Sequence, residues 1–445
     1  MYPEARKQLE RALDLERRVL GPENPKTIKT MNRLGYTARL QGKYPEAEAF
    51  FNQTLQIARP VLGPEHPDVL SAMNGLAIVY NFQRKYAQSE ALYNQTLEIR
   101  RRVLGPEDPD TLASMNNLAT VYYSEGKYAQ AEALFSKTVE ARRRVLGPEH
   151  PDTLTAMNNL GNAYSALGKN ASAEIIYNQT LKIRRRVLGP EHPDTLYSII
   201  CLADVYFSQG KYAQAEPLFG QALAIQSRIL GPEHPDTLQA MAGLAAAYDN
   251  QGEYAKAEPL FRHVVEILRR VLGPEHPNTL TEMNNLGEVY QDQGKYDLAE
   301  MFASQSLAGQ RHSLGPTDAA TMLSAADLAL ACLSQGKFAE SETLAREVVE
   351  MDKKIQPDDW QRYRAESLLG ASLAGQKKYA EAEPLLLEGY QGMVARKTGY
   401  WQSPTGVTWT ALANGASNSM KHGASRRRPP SGRRSEIHEA ILHPG

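Results

Sequence analysis

The sequence predicts an all-α solenoid of stacked antiparallel helix pairs, and three observations carry that expectation. Leu-Gly-Pro occurs at Leu20, Leu62, Leu104, Leu146, Leu188, Leu230, Leu272 and Leu314, eight times at a spacing of 42 residues. A fixed period of about 20–50 residues marks units that bury their apolar faces only against their neighbours. Each unit also carries two helical stripes. In residues 151–190, Met157, Leu160, Gly161 and Tyr164 fall on one helical face, and Ala173, Tyr177, Thr180 and Leu181 on another. Finally, no sustained alternation of period two with hairpin turns is present, so strands are not expected.

Taken in order, Tyr2, Ala5, Leu9 and Leu13 align with Tyr44, Ala47, Phe51 and Leu55. Residues 1–22 therefore read as a lone helix, the second half of an incomplete repeat. The chain then reads as a fragment, with a misplaced start or a lone capping helix as the other readings. Residues 23–356 read as eight units of the 42-residue type. Asn24, His66, Asp108, His150, His192, His234 and His276 each precede a proline, the pattern of an N-cap followed by proline at the first helical position. Asp68, Asp110, Asp152, Asp194 and Asp236 then place negative charge at the positive end of the helix dipole. Gly126, Gly168, Gly210, Gly252, Gly294 and Gly336 stand where the first helix of a unit should end, and Arg84 takes that place in its own unit. Arg100 to Arg102, Arg142 to Arg144, Arg184 to Arg186 and Arg269-Arg270 put cations in the last turns of the second helices.

Ala38, Asn170 and Ala303 replace larger residues and are expected to be softer points of the stack. Residues 357–397 read as a degenerate terminal repeat that keeps Leu369, Gly370, Tyr379 and Ala382 but has Lys353-Lys354-Ile355-Gln356 for a connector. Residues 398–445 read as a disordered basic tail rich in Pro, Ser and Arg. The cluster Arg426, Arg427, Arg428, Arg433 and Arg434 has three readings: a non-native or frame-shifted tail, a plain disordered tail, or a basic import or nucleic-acid signal.

Composition excludes several functions. Over 445 residues, 42% are hydrophobic and 23% charged, which suits an ordered chain. The net charge of −1 supplies no global field for nucleic acid or an anionic membrane. Neither a leader pattern nor an apolar run of about 20 residues is present, so a cytoplasmic protein without membrane contact is expected. Cys201 and Cys332 read as buried small residues. His66, His150, His192, His234 and His276 sit one per unit, too far apart to share a metal ion, and serve as caps. The Asn-Gln-Thr triplets beginning at Asn52, Asn94 and Asn178 place their threonines on the packing stripe and are structural. No phosphate-cradling glycine loop, metal-protease motif or nucleophile signature occurs, so no catalytic residue, cofactor, metal or small-molecule substrate is assigned.

Met157, Leu160, Gly161, Tyr164, Gly168, Ala173 and Tyr177 resemble the tetratricopeptide repeat, and the match recurs at Leu76-Ala77-Tyr80, Leu118-Ala119-Tyr122, Leu202-Ala203-Tyr206, Leu244-Ala245-Tyr248 and Leu286-Gly287-Tyr290. The repeats of 42 residues, with their Leu-Gly-Pro-Glu-His-Pro connections, resemble the long variant of kinesin light chains. The resemblance implies a right-handed solenoid whose first helices line a concave groove holding an extended peptide. It implies a non-enzymatic interaction scaffold, or else the docking or sensor region of a larger signalling kinase or NTPase. The groove positions are Lys29, Asn32, Arg33, Asn74, Asn116, Asn117, Asn158, Asn159, Asn162, Asn284 and Asn285, with asparagines meeting the ligand backbone. Along that face Lys29, Arg33 and Arg39 give way to Asp204, Asp249, Glu288 and Asp292, so acidic residues of the partner are expected beside the N-terminal units.

Overall fold

A computed structural model of the chain describes residues 2–355 and 360–396, and every described element is an α-helix. The chain divides into two compact units, residues 1–201 and 202–445. The first holds α1 (Tyr2–Val19), α2 (Pro25–Leu40), α3 (Tyr44–Leu62), α4 (Pro67–Phe82), α5 (Tyr86–Val103), α6 (Pro109–Ser124), α7 (Tyr128–Val145), α8 (Pro151–Ala166) and α9 (Asn170–Val187). The boundary falls inside α10 (Pro193–Ser208). The second unit continues with α11 (Tyr212–Ile229), α12 (Pro235–Asn250), α13 (Tyr254–Val271), α14 (Pro277–Asp292) and α15 (Tyr296–Ser313). It ends with α16 (Ala319–Ser334), α17 (Phe338–Ile355), α18 (Trp360–Gly375) and α19 (Tyr379–Arg396). The basic cluster at residues 426–434 and the connector residues Gln356 and Pro357 lie outside the described residues.

The helix starts follow from side-chain chemistry. His66 and His150 have extended backbone and accept through Nδ1 from the amides of Asp68 and Asp152, each at 3.2 Å, while Asp108 Oδ1 accepts from Asp110 N at 2.9 Å. Proline follows at a position whose missing N–H is not needed. The first helices end on a left-handed residue, and Arg84 and Lys377 adopt φ 59° and 67° where the other units carry glycine.

From α1 to α9 and from α11 to α19 each helix packs on the next, and first helices also touch the first helices of adjacent repeats: α2 on α4, α4 on α6, α6 on α8, then α12 on α14, α14 on α16 and α16 on α18. The core is a series of local clusters, each shared by neighbouring repeats. Phe51, for example, packs with Ile28, Leu55, Met73 and Leu76. A Cβ at Gly161 would stand 2.5 Å from the buried ring of Tyr177, so glycine there lets two helices approach closely.

Polar ties join repeat to repeat. Lys85 pairs with Glu48, Lys127 with Glu90, Lys169 with Glu132 and Lys295 with Glu258, each 37 residues apart in sequence. The last arginine of each triplet reaches the glutamate of the preceding connector: Arg102 to Glu65, Arg144 to Glu107 and Arg186 to Glu149. Those exposed pairs each contribute little, about 0–1 kcal/mol.

Candidate functional site

The expected groove positions lie along the first helices, and the structure separates them into two groups. Lys29 and Arg33 on α2 are exposed, while Asn74, Asn117, Asn159, Asn162 and Asn285 are half-buried. Asn32, Asn116, Asn158 and Asn284 are buried, which corrects the expectation that all the asparagines offer their amides to a ligand. Asn32 Nδ2 donates to the Asp68 carbonyl at 2.9 Å, and Asn284 Nδ2 donates to Asp327 Oδ2 at 2.6 Å.

Asn158 is the clearest case, being 1% exposed. Its Oδ1 accepts from Ser198 Oγ at 2.9 Å and from an Arg184 guanidinium nitrogen at 3.3 Å, while its Nδ2 faces Cys201 Sγ at 3.4 Å. The same guanidinium nitrogen donates to the Asp194 carbonyl and to Ser198 Oγ, both at 2.8 Å. Burial depresses the Arg184 pKa below its ordinary value, yet these acceptors hold the group in place. Arg142 makes the equivalent bond to the Asp152 carbonyl at 2.7 Å. Arg142 and Arg184 thus turn into the protein instead of lying at the surface as last-turn cations. Their shared spacing of ten residues from Asp152 and Asp194 was the available signal.

The remaining amides are partly engaged with one another. Asn117 Nδ2 donates to Asn74 Oδ1 at 3.1 Å and Asn159 Nδ2 to Asn116 Oδ1 at 3.3 Å, steps of 43 residues between adjacent first helices. Asn162 accepts from Tyr177 and donates to Tyr197 Oη at 3.3 Å. Asn285 donates to Glu282 at 3.1 Å. Each Asn carries two donor hydrogens and two acceptor lone pairs, so these single ties leave capacity on the half-buried ones.

In the second unit the expected acids are placed unequally. Asp204 on α10 is exposed. Asp249 on α12 is 8% exposed; burial and the neighbouring charge of Asp292 push its pKa up to about 8. Burial raises Asp292 on α14 to about 6, opposed by Arg364 and reinforced by Asp327. Glu288 rises well above its ordinary value through burial and the negative charge of Asp327. Asp327 and Arg364, which the sequence reading did not single out, belong to the same group and are bonded at 2.5 Å.

Other candidate chemistry is local. Ligand atoms of Glu300, Cys332 and Glu340 lie within 4.8 Å of one another. Glu300 is engaged by Lys337 and Gln335, and burial pushes the Cys332 thiol up to about 11, so the protonated thiol dominates at neutral pH. Among the described residues no helix is long and apolar enough to cross a membrane.

This architecture defines an all-helical repeat protein built from stacked antiparallel helix pairs. The tetratricopeptide repeat profile matches residues 1–59, 30–102, 68–143, 110–186, 194–270, 248–311 and 280–354, and the chain belongs to the tetratricopeptide repeat family, in its long kinesin-light-chain-like form. Members of that family are protein-interaction scaffolds. A solved structure of kinesin-light-chain, nearly identical tetratricopeptide-like repeats from Podosopora anserina is 32% identical, covering 46% of this chain and 98% of that one at a TM-score of 0.41. BtubC (BKLC) from P. vanneervenii is 21% identical over 53% of this chain and 94% of that one, with a TM-score of 0.44. The apo quorum sensor NprR from B. thuringiensis shares the fold at 13% identity, over 83% of this chain and 99% of that one, with a TM-score of 0.58. No curated protein sequence matches the chain.

Proposed function

We propose that the chain is a non-enzymatic scaffold whose first-helix face binds an extended polypeptide segment of a partner protein. The observation that carries this reading is the recurrence of half-buried amides at Asn74, Asn117 and Asn159 on adjacent first helices, beginning beside exposed Lys29 and Arg33. Amides with spare donors and acceptors bind a peptide backbone without demanding a side-chain sequence, and the two cations favour acidic residues at that end of the ligand. The buried asparagines support this face from within by holding adjacent first helices in register.

The test begins with the full chain as bait, followed by peptide mapping of the captured partner. Lys29→Glu with Arg33→Glu should abolish binding of acidic peptides. Asn117→Ala with Asn159→Ala should weaken every ligand by about 1–3 kcal/mol through lost hydrogen bonds. Unchanged affinity in both double variants, with helicity retained, places the ligand on another surface.

A further inference from the structure

The acids of the second unit are not evenly supplied with cations. Asp249, Glu288, Asp292 and Asp327 stand on the first helices α12, α14 and α16, and Arg364 comes from α18. At one end of the group Asp327 is fully engaged, with Arg364 donating to Oδ1 at 2.5 Å and Asn284 donating to Oδ2 at 2.6 Å. At the other end Asp249 is 8% exposed and its Oδ1 makes no hydrogen bond with any described residue. The charge acting on it is another acid, Asp292. Burial, then the charges of Asp292 and Asp249, raise the Tyr254 hydroxyl on α13 above its ordinary value.

A buried carboxyl group without a partner is expensive and persists where something repays it; without a cation Asp249 keeps its proton at neutral pH, and an approaching cation favours the carboxylate. The helix pair itself does not require an acid there. Other units carry Asn81, Tyr123, Ser165, Phe207, Gln291 and Leu333 at the same phase. The Asp327–Asn284–Arg364 arrangement shows what these first helices do with a guanidinium when one is supplied: a carboxylate takes it while a neighbouring amide holds the second oxygen.

We infer that the Asp249–Asp292 end of this cluster is a receptor site for an arginine or lysine side chain of a bound partner segment. This rests on the reading that the first-helix face binds a polypeptide, and it adds the ligand's second chemical requirement. Within the second unit the basic residue of the segment lies by α12 and α14.

The test uses the full chain and fluorescence anisotropy of two labelled heptapeptides, Ser-Arg-Ser-Arg-Ser-Arg-Ser and its counterpart with glutamine for arginine. The arginine peptide should bind about tenfold more tightly, the worth of one charged hydrogen-bonded contact. Asp249→Asn with Asp292→Asn should erase that preference, while Glu266→Gln on the exposed face of α13 should leave it intact, circular dichroism confirming helicity in each. If both peptides bind equally to the wild type, or the preference survives in Asp249→Asn with Asp292→Asn, this inference falls and the scaffold reading stands. If neither peptide binds and the full-chain bait captures no partner segment, both fall. A third arm replaces Arg426, Arg427, Arg428, Arg433 and Arg434 by glutamine. Binding that emerges only in that variant assigns the site to the chain's own basic cluster and overturns the partner.

Discussion

Asp249→Asn should stabilise the second unit, by an amount that grows with pH. The carboxyl titrates at about 8 in the folded protein against an ordinary 3.8. A folded-state value above the unfolded one means the folded form holds its proton more tightly, so stability is complete below the unfolded value and declines as pH rises. Between pH 3.8 and 7 the unfolded chain loses a proton that the folded chain retains. Each pH unit of that interval costs about 1.4 kcal/mol, or about 4 kcal/mol in all at pH 7. Asparagine keeps the shape and removes the ionisation, but its buried amide lacks full pairing, which takes back about 1–3 kcal/mol. The net gain is then about 1–3 kcal/mol at pH 7, larger at pH 8.5 and absent or reversed near pH 4. Urea unfolding followed by far-UV circular dichroism at four pH values from 4 to 8.5 measures it. A difference between variant and wild type that does not change with pH would refute the reasoning, because it would remove the proton linkage on which the figure depends.

Arg84→Gly should raise stability by about 0.5–1 kcal/mol, since a residue with a Cβ is strained at a φ of 59°; a thermal melt of the pair decides it, and a loss would mean that the Arg84 side chain outweighs its backbone. Asn158→Ala should cost about 1–3 kcal/mol by leaving Arg184 and Ser198 short of an acceptor, whereas Asn159→Ala should cost under about 1 kcal/mol, which parallel urea titrations will separate.

Much of the helix architecture was legible because it is local. His66, His150 and the prolines after them declare helix starts within three residues, and the 42-residue period declares the stacking. What escaped is the meeting of residues from different repeats. Asn158 and Asn159 adjoin in sequence and share a polar face by wheel geometry, yet Asn158 is buried because Ser198 and Arg184 close over it. Neither partner lies in its helix. The arginine triplets mislead similarly: a last-turn cation suits the dipole wherever it points, and only the fold distinguishes Arg184, turned inward, from Arg186, which reaches Glu149 at the surface. The acids were legible as residues on one face. The pairing of Asp327 with Arg364, which leaves Asp249 without a cation, was not.

The ties of 37 and 43 residues bear on how such a gene can change. If exactly 42 residues are excised between equivalent points, Glu90 loses Lys127 but meets Lys169, which stands at the same phase, and each amide rung finds a residue from the corresponding rung. Unequal exchange between segments that encode similar repeats therefore lengthens or shortens the stack without a misfit at the junction. An error of a few residues breaks every tie across it. Length can drift in whole repeats while the joints stay fixed, and residues such as Asp249, which no joint requires, remain free to differ from unit to unit.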